Sequence, residues 1–155
     1  MLIWRSPPGW SVLTGLVSQG VRLIVISVGR LRAPYADAVG HYSKLLGRYA
    51  RVEQIELRDG EKITSRLRER AYVSLLAIDG ESYSSEAFAG FVEQRRTSGR
   101  DLAFVIGGAF GLEFEQADHR LSLGPFTLPH QLARVVLLEQ LYRAHKIIAG
   151  EPYHH

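Results

Sequence analysis

At 155 residues, with 46% hydrophobic and 23% charged positions, the chain has the size and composition of one ordinary globular domain. It contains no cysteine, which excludes disulfides and cysteine-ligated metals and fits a reducing compartment, and no apolar run approaches the roughly 20 residues of a membrane span, so the expectation is a cytoplasmic protein. The net charge of +3 is unevenly divided: Val21 to Arg70 carries 11 Lys/Arg against 6 Asp/Glu, and Ala71 to His155 carries 7 against 10. Such a division suits a face that meets phosphates, and equally an unevenly sampled solvated surface.

Met1 to Gly20, with Pro7-Pro8-Gly9 and two Trp, has little regular pattern and reads as an extension, with Val21 a candidate initiator of a single domain over 21–155. Val21 to Val28 is dense in β-branched residues and stops at Gly29, as a buried parallel strand would. Pro34 then opens a helix whose apolar stripe is Tyr35, Val39, Tyr42, Leu46 and Tyr49; at this spacing core packing is favoured over base stacking. Val52 to Leu57 alternates like a strand, with Asp59-Gly60 as its exit. Glu61 to Ala71 has only Ile63 and Leu67 to bury and reads as a surface helix or a mobile stretch.

Tyr72 to Ile78 is the next buried strand, closed by Asp79-Gly80. Ser84 or Ser85 caps a helix carrying Phe88, Phe91 and Val92, which ends at Ser98-Gly99. Leu102 to Ile106 is a fourth apolar strand, running into Gly107-Gly108-Ala109-Phe110-Gly111. A further short strand ends in Gly124-Pro125-Phe126-Thr127-Leu128-Pro129-His130. Strands and helices alternating on a beat of roughly 30 residues predict an α/β domain with a mostly parallel sheet flanked by helices. The last helix, about Pro129 to Ala149, is apolar over most of its circumference, with Glu139, Arg143 and Lys146 as its polar stripe. Such a helix needs cover on two sides, and a homodimer is the expected source of one of them.

The chemistry-bearing motifs narrow the field by failing. The glycine turn is G-G-x-x-G after a late strand, not the dinucleotide fingerprint, and there is no phosphate-cradling P-loop. The six histidines, at 41, 119, 130, 145, 154 and 155, have no metal-ligand spacing, so no metal is expected. No G-x-S-x-G elbow supplies a hydrolase nucleophile. What remains is a strand end where missing side chains let backbone groups approach a flat ligand, or simply a tight turn.

Together, Leu75-Leu76-Ala77-Ile78-Asp79-Gly80, Val105 to Gly111, Leu123 to His130, Leu141-Tyr142-Arg143-Ala144 and Pro152-Tyr153-His154 resemble the RlmH family, SPOUT-class methyltransferases of pseudouridine in bacterial large-subunit ribosomal RNA. The resemblance covers Val21 to His155. It implies an α/β fold with a C-terminal trefoil knot, a homodimer, an S-adenosylmethionine cofactor, and methylation of N3 of a pseudouridine in 23S rRNA on the ribosome. Carried onto this chain, it implies cofactor contacts at Leu76, Gly107, Gly124, Pro125, Phe126, Thr127, Leu128 and Pro129, with Leu76, Phe126 and Leu128 sandwiching the ring. It also implies His154 as general base and Tyr153 as the residue orienting the target base. Phosphate contacts are expected from Arg22, Arg30, Arg32 and Arg143. The family continues after Pro-Tyr-His with Arg or Lys; here His155 stands in that RNA-facing place and would be only partly charged near neutrality. Action on another RNA, or a non-catalytic RNA-binding role, stays open from the sequence.

Overall fold

In the computed structural model, which describes residues 21–67, 70–107 and 116–153, the strands are β1 (Arg22–Val28), β2 (Arg51–Leu57), β3 (Tyr72–Ser82), β4 (Leu102–Ile106) and β5 (His119–Ser122). The helices are α1 (Tyr35–Leu46), α2 (Ser85–Thr97) and α3 (His130–Ile148). All strand pairs are parallel, in the order β2-β1-β4-β3-β5. The apolar runs are continuous because the inner strands are covered on both faces. Leu23, Val25, Leu102, Phe104 and Ile106 join one core cluster, and Ile24, Ile26, Ala103 and Val105 join the other. That alternation is the period of two that a pleated strand imposes.

Right-handed crossovers decide where the helices go. The steps β1 to β2 and β3 to β4 run in the same direction across the sheet, so α1 and α2 lie on the same face. The apolar helix α3 packs between them, with Leu137, Leu138, Leu141 and Ala144 fully buried. The step from β2 to β3 runs the opposite way, so its connection crosses the other face, where Ile63 is buried and Leu67 packs against the second cluster. The connection is not the surface helix that was one of the two expectations: among the described residues its regular part is one short 3-10 turn, Ile63–Ser65, with Ile63 buried and Leu67 packed against the sheet. The path from β4 to β5 runs through residues 108–115, outside the described residues, as do the extension 1–20 and most of the glycine turn.

The strand expected to close at Asp79-Gly80 does not close there. β3 runs on to Ser82, and Leu121 of β5 is the register partner of both Leu76 and Glu81. Residues 77–80 therefore form an outward excursion between two paired stretches. Gly80 makes it possible: a Cβ there would lie 2.7 Å from the carbonyl carbons of Arg120 and Leu121. An Asp-Gly pair read as a turn was instead a bulge pressed backbone to backbone on its neighbour.

Two imidazoles hold neighbouring elements together. His119 accepts or donates with Ser74 Oγ at 2.8 Å and Tyr83 Oη at 3.0 Å and stacks on Phe91 at 4.6 Å, tying the edge strand β5 to β3 and α2. His145, 3% exposed within α3, donates from Nδ1 to the Leu141 carbonyl at 2.7 Å. Burial is the main cause that lowers both pKa values below the ordinary 6.5, against an opposing pull from Glu81 on His119 and from the Leu141 carbonyl on His145.

Gly80→Ala is expected to lower the unfolding free energy by about 1–3 kcal/mol, since backbone rather than a flexible side chain must yield. Gly40→Ala, in the open on α1, should raise it by about 0.5–1 kcal/mol. Urea denaturation of both variants tests the pair, and equal effects would contradict the close approach. A second expectation concerns pH. The unfolded chain binds protons at these histidines below about pH 6.5 while the folded chain resists, so stability is intact above that value and falls as pH drops through the lower folded pKa values. Thermal midpoints should decline between pH 7 and 5, before the carboxylates titrate; a flat profile there contradicts two buried neutral imidazoles.

Candidate active site

All five strands point the same way, so their carboxyl ends share one edge, the edge at which open parallel sheets bind ligands. A cleft of about 750 Å³ lies there, at the ends of β3, β4 and β5. Its walls come from Leu76 and the β3 excursion that follows it (Ala77 to Asp79), the end of β4 (Ile106, Gly107), β5 and its exit turn (Arg120, Leu121, Leu123, Gly124, Phe126 to Pro129), and the first turn of α3 (His130, Ala133). Leu76, Gly107, Gly124, Phe126, Thr127, Leu128 and Pro129 are thus brought together from three separate stretches, whereas Pro125 is not in the lining.

The exit turn is held in shape locally. Gly124 sits at φ +123°, a conformation open to glycine, and its N–H donates to Ser122 Oγ at 3.1 Å while that hydroxyl donates back to the Gly124 carbonyl at 3.1 Å. Phe126 is 83% exposed and Ile78 is 57% exposed, and both stand at the cleft. Large apolar side chains left in water on either side of a cavity are what a flat apolar ligand would cover.

Beneath the first turn of α3 lies a group the sequence reading missed. Arg134 is 4% exposed and spends its guanidinium on Gln54 Oε1 (2.8 and 2.5 Å), Ser27 Oγ (3.1 Å) and Glu56 Oε1 (3.1 Å). Gln54 in turn donates to Ser43 Oγ, which donates to the Val39 carbonyl at 2.6 Å. One planar fork therefore ties α3 to the ends of β1 and β2 and, through Gln54, to α1. Gln131, beside it, accepts from the Arg32 N–H at 2.8 Å and brings the β1–α1 loop to the same corner. The signal was present: Arg134 lies in the stripe of Ala133, Leu137 and Leu138, and a charge on a buried helix face is the informative exception.

The RNA and tail candidates are dispersed. Arg30 and Arg32 are exposed on the loop beside the α3 N-terminus. Arg22 begins β1 at the opposite sheet edge, with its side chain 3.4 Å from Glu53. Arg143 pairs with Glu139 at 2.6 Å and lies over the Tyr153 ring, 4.0 Å from its centroid. The tail turns back at Gly150 (φ +69°) and runs along α3. Glu151 accepts from Lys146 at 2.8 Å and from Tyr49 at 2.7 Å, and Tyr153 donates to Glu139 at 2.6 Å. Burial first, and Glu139 second, push the Tyr153 phenol up to about 12, so it is a donor at neutral pH and not a base. Tyr153 does not line the cleft of its own chain, and His154 and His155 lie outside the described residues.

A parallel α/β sheet with an apolar, glycine-bearing cleft at its carboxyl edge places the protein among the open α/β folds, whose ligand sites lie at that edge. The family model for predicted SPOUT methyltransferases matches residues 21–154, and the chain belongs to that family. It is 42% identical over 154 residues to the ribosomal RNA large subunit methyltransferase H of Limosilactobacillus reuteri, a match covering 84% of this chain and 97% of that one. It is 40% identical over 158 residues to the protein of the same name from Streptococcus agalactiae serotype III, covering 86% and 99%. A crystal structure of a probable methyltransferase from Bordetella pertussis Tohama I shares the fold, with a TM-score of 0.58 at 13% identity over 84% of this chain and 98% of that one. Among the described residues there is no cluster of His, Asp or Glu able to hold a metal, and no helix long and apolar enough to cross a membrane.

Arg134→Met should cost about 2 kcal/mol or more in unfolding free energy, because Gln54, Ser27 and Glu56 lose their common donor. Arg134→Lys should recover only part, since a point charge cannot replace the fork. Denaturant titration of the two reads this directly, and a Met variant as stable as the parent would remove the anchoring role.

Proposed function

We propose that this protein transfers a methyl group from S-adenosylmethionine to N3 of a pseudouridine in 23S ribosomal RNA, on the ribosome in the cytoplasm, as a homodimer with the threaded C-terminal fold of its family. The observation that carries the reading is the convergence of Leu76, Gly107 and the Gly124 to Pro129 turn on one cleft of about 750 Å³, within the size range of small-ligand sites. The names of the relatives point to large-subunit ribosomal RNA as the substrate, and the pseudouridine and its N3 come from the motif resemblance.

The residues present suit the cofactor. Leu76, Phe126 and Leu128 offer apolar walls to an adenine, and the backbone at Gly107 and Gly124 can approach it without a side chain in the way. When bound, S-adenosylmethionine supplies an electrophilic methyl on a sulfonium. The protein's part is to orient N3 in line with that methyl and to accept the imide proton. His154 is the proposed base, on residue type: an imidazole takes up a proton near neutrality. Tyr153, kept as a phenol and gripped between Glu139 and Arg143, fixes the tail and presents a ring for the target base.

The homodimer reading is supported by α3. Leu132 and Val136 are half-buried and lie outside the main core cluster, one turn apart on the helix that also holds Tyr153. Pairing across this helix would cover them and give a tail a route to a cleft. Arg30 and Arg32, beside the cleft, are the proposed phosphate contacts nearest the chemistry, with Arg22, Arg143 and His155 further out.

Two measurements test the reading. Mass mapping of 23S rRNA from cells with and without the gene should show one pseudouridine losing a methyl group when the gene is absent; an unchanged map refutes the substrate. His154→Ala should lower methyl transfer to ribosomes by about 100-fold or more while cofactor affinity stays within a few-fold. Turnover like the parent's would remove His154 from the chemistry.

A further inference from the structure

The cleft has a second, charged end that neither the sequence reading nor the relatives' names assign. Arg120 Nη2 donates to Asp79 Oδ1 at 2.6 Å, and both residues line the cavity. Their side chains are 49% and 76% exposed, so the pair stands at the mouth and not in the core. An exposed ion pair of this kind contributes little to stability, yet its placement is tightly specified. Asp79 belongs to the β3 excursion, and Gly80, the next residue, is pressed on the backbone of Arg120 itself. The contact that creates the excursion therefore also sets the carboxylate beside the guanidinium.

We propose that the Asp79–Arg120 pair receives the α-amino-acid end of the cofactor, so that the cleft reads an adenosine by shape at Leu76, Phe126 and Leu128 and a zwitterion by charge at its mouth. The inference rests on the cofactor reading above. Its chemistry is complementary without any rupture of the pair. Arg120 uses one terminal nitrogen on Asp79 Oδ1, and among the described residues its guanidinium has no other acceptor. A ligand carboxylate can take the remaining N–H donors while the ligand ammonium donates to Asp79 Oδ2. Four alternating charges then close a ring of charge-assisted hydrogen bonds. A phosphate would match Arg120 but would be repelled by Asp79, whereas a zwitterion satisfies both.

Calorimetric titration of the full-length protein with S-adenosylhomocysteine and 5′-methylthioadenosine tests this. Both carry a neutral thioether on the same nucleoside, and only the first has the amino-acid end. Arg120→Gln and Asp79→Asn should each weaken S-adenosylhomocysteine by about tenfold and leave methylthioadenosine within twofold. The two variants should melt within a few degrees of the parent, which separates the effect from misfolding. Equal weakening of both ligands, or of neither, overturns the subsite while leaving the nucleoside cleft intact. Failure of both ligands to bind the unaltered protein overturns the cofactor reading and the subsite with it.

Discussion

A single buried guanidinium sets the frame for everything at the carboxyl edge of the sheet. Arg134 enters from α3, one turn after His130, and makes four hydrogen bonds to groups on β1 and β2. A buried charge that lost one of these partners would be costly, so the fork fixes the start of α3 against β1 and β2. The exit turn of β5 must then reach that fixed start from Ser122, and in doing so it closes the cleft over Gly107 and Leu76. The far end of the same helix carries the returning tail. One helix thus relates the cleft, the β1–α1 loop through Gln131, and the residues that precede His154.

The cleft itself arises from a mismatch between neighbouring strands. β3 and β5 pair, part and pair again about Leu121, and the residues released between the two stretches become a wall with a charged lip. The apolar side, the glycine-bearing backbone and this lip are three different kinds of surface around one cavity. A ligand with a flat ring, a linker and a zwitterionic end would meet each of them in turn, which is why the reading of an adenosyl amino acid rests on shape and charge together.

Much of the fold was legible from residue order because of how it is buried. β4 falls on Leu102–Ile106 as the apolar run indicates, since both of its faces are covered and nothing interrupts the run. Ser84 caps α2 through the Ala87 N–H, as a serine ahead of a helix should. Features made by tertiary contact were not legible. Asp79-Gly80 carries the signature of a turn, and only the nearness of β5 shows it as a bulge. The apolar circumference of α3 indicated cover on two sides, but residue order did not show that α1 and α2 supply the cover within the chain. Tyr49 looked like the last rung of a core stripe and instead clasps Glu151 beyond the end of α1. Motif resemblance singled out turns that converge on one cleft, while Asp79 and Arg120, ordinary as a turn residue and a strand residue, gave no pattern to read.

The central claim is that a nucleoside-bearing cofactor occupies the cleft between the ends of β3, β4 and β5. The most direct measurement is the map of backbone amide shifts in an NMR titration of the protein with S-adenosylmethionine. Saturable shifts concentrated at Leu76, Gly107, Gly124, Thr127 and His130 are the expected result. Shifts concentrated at the opposite edge, around Arg22 and Asp101, with those five amides unmoved, would contradict it.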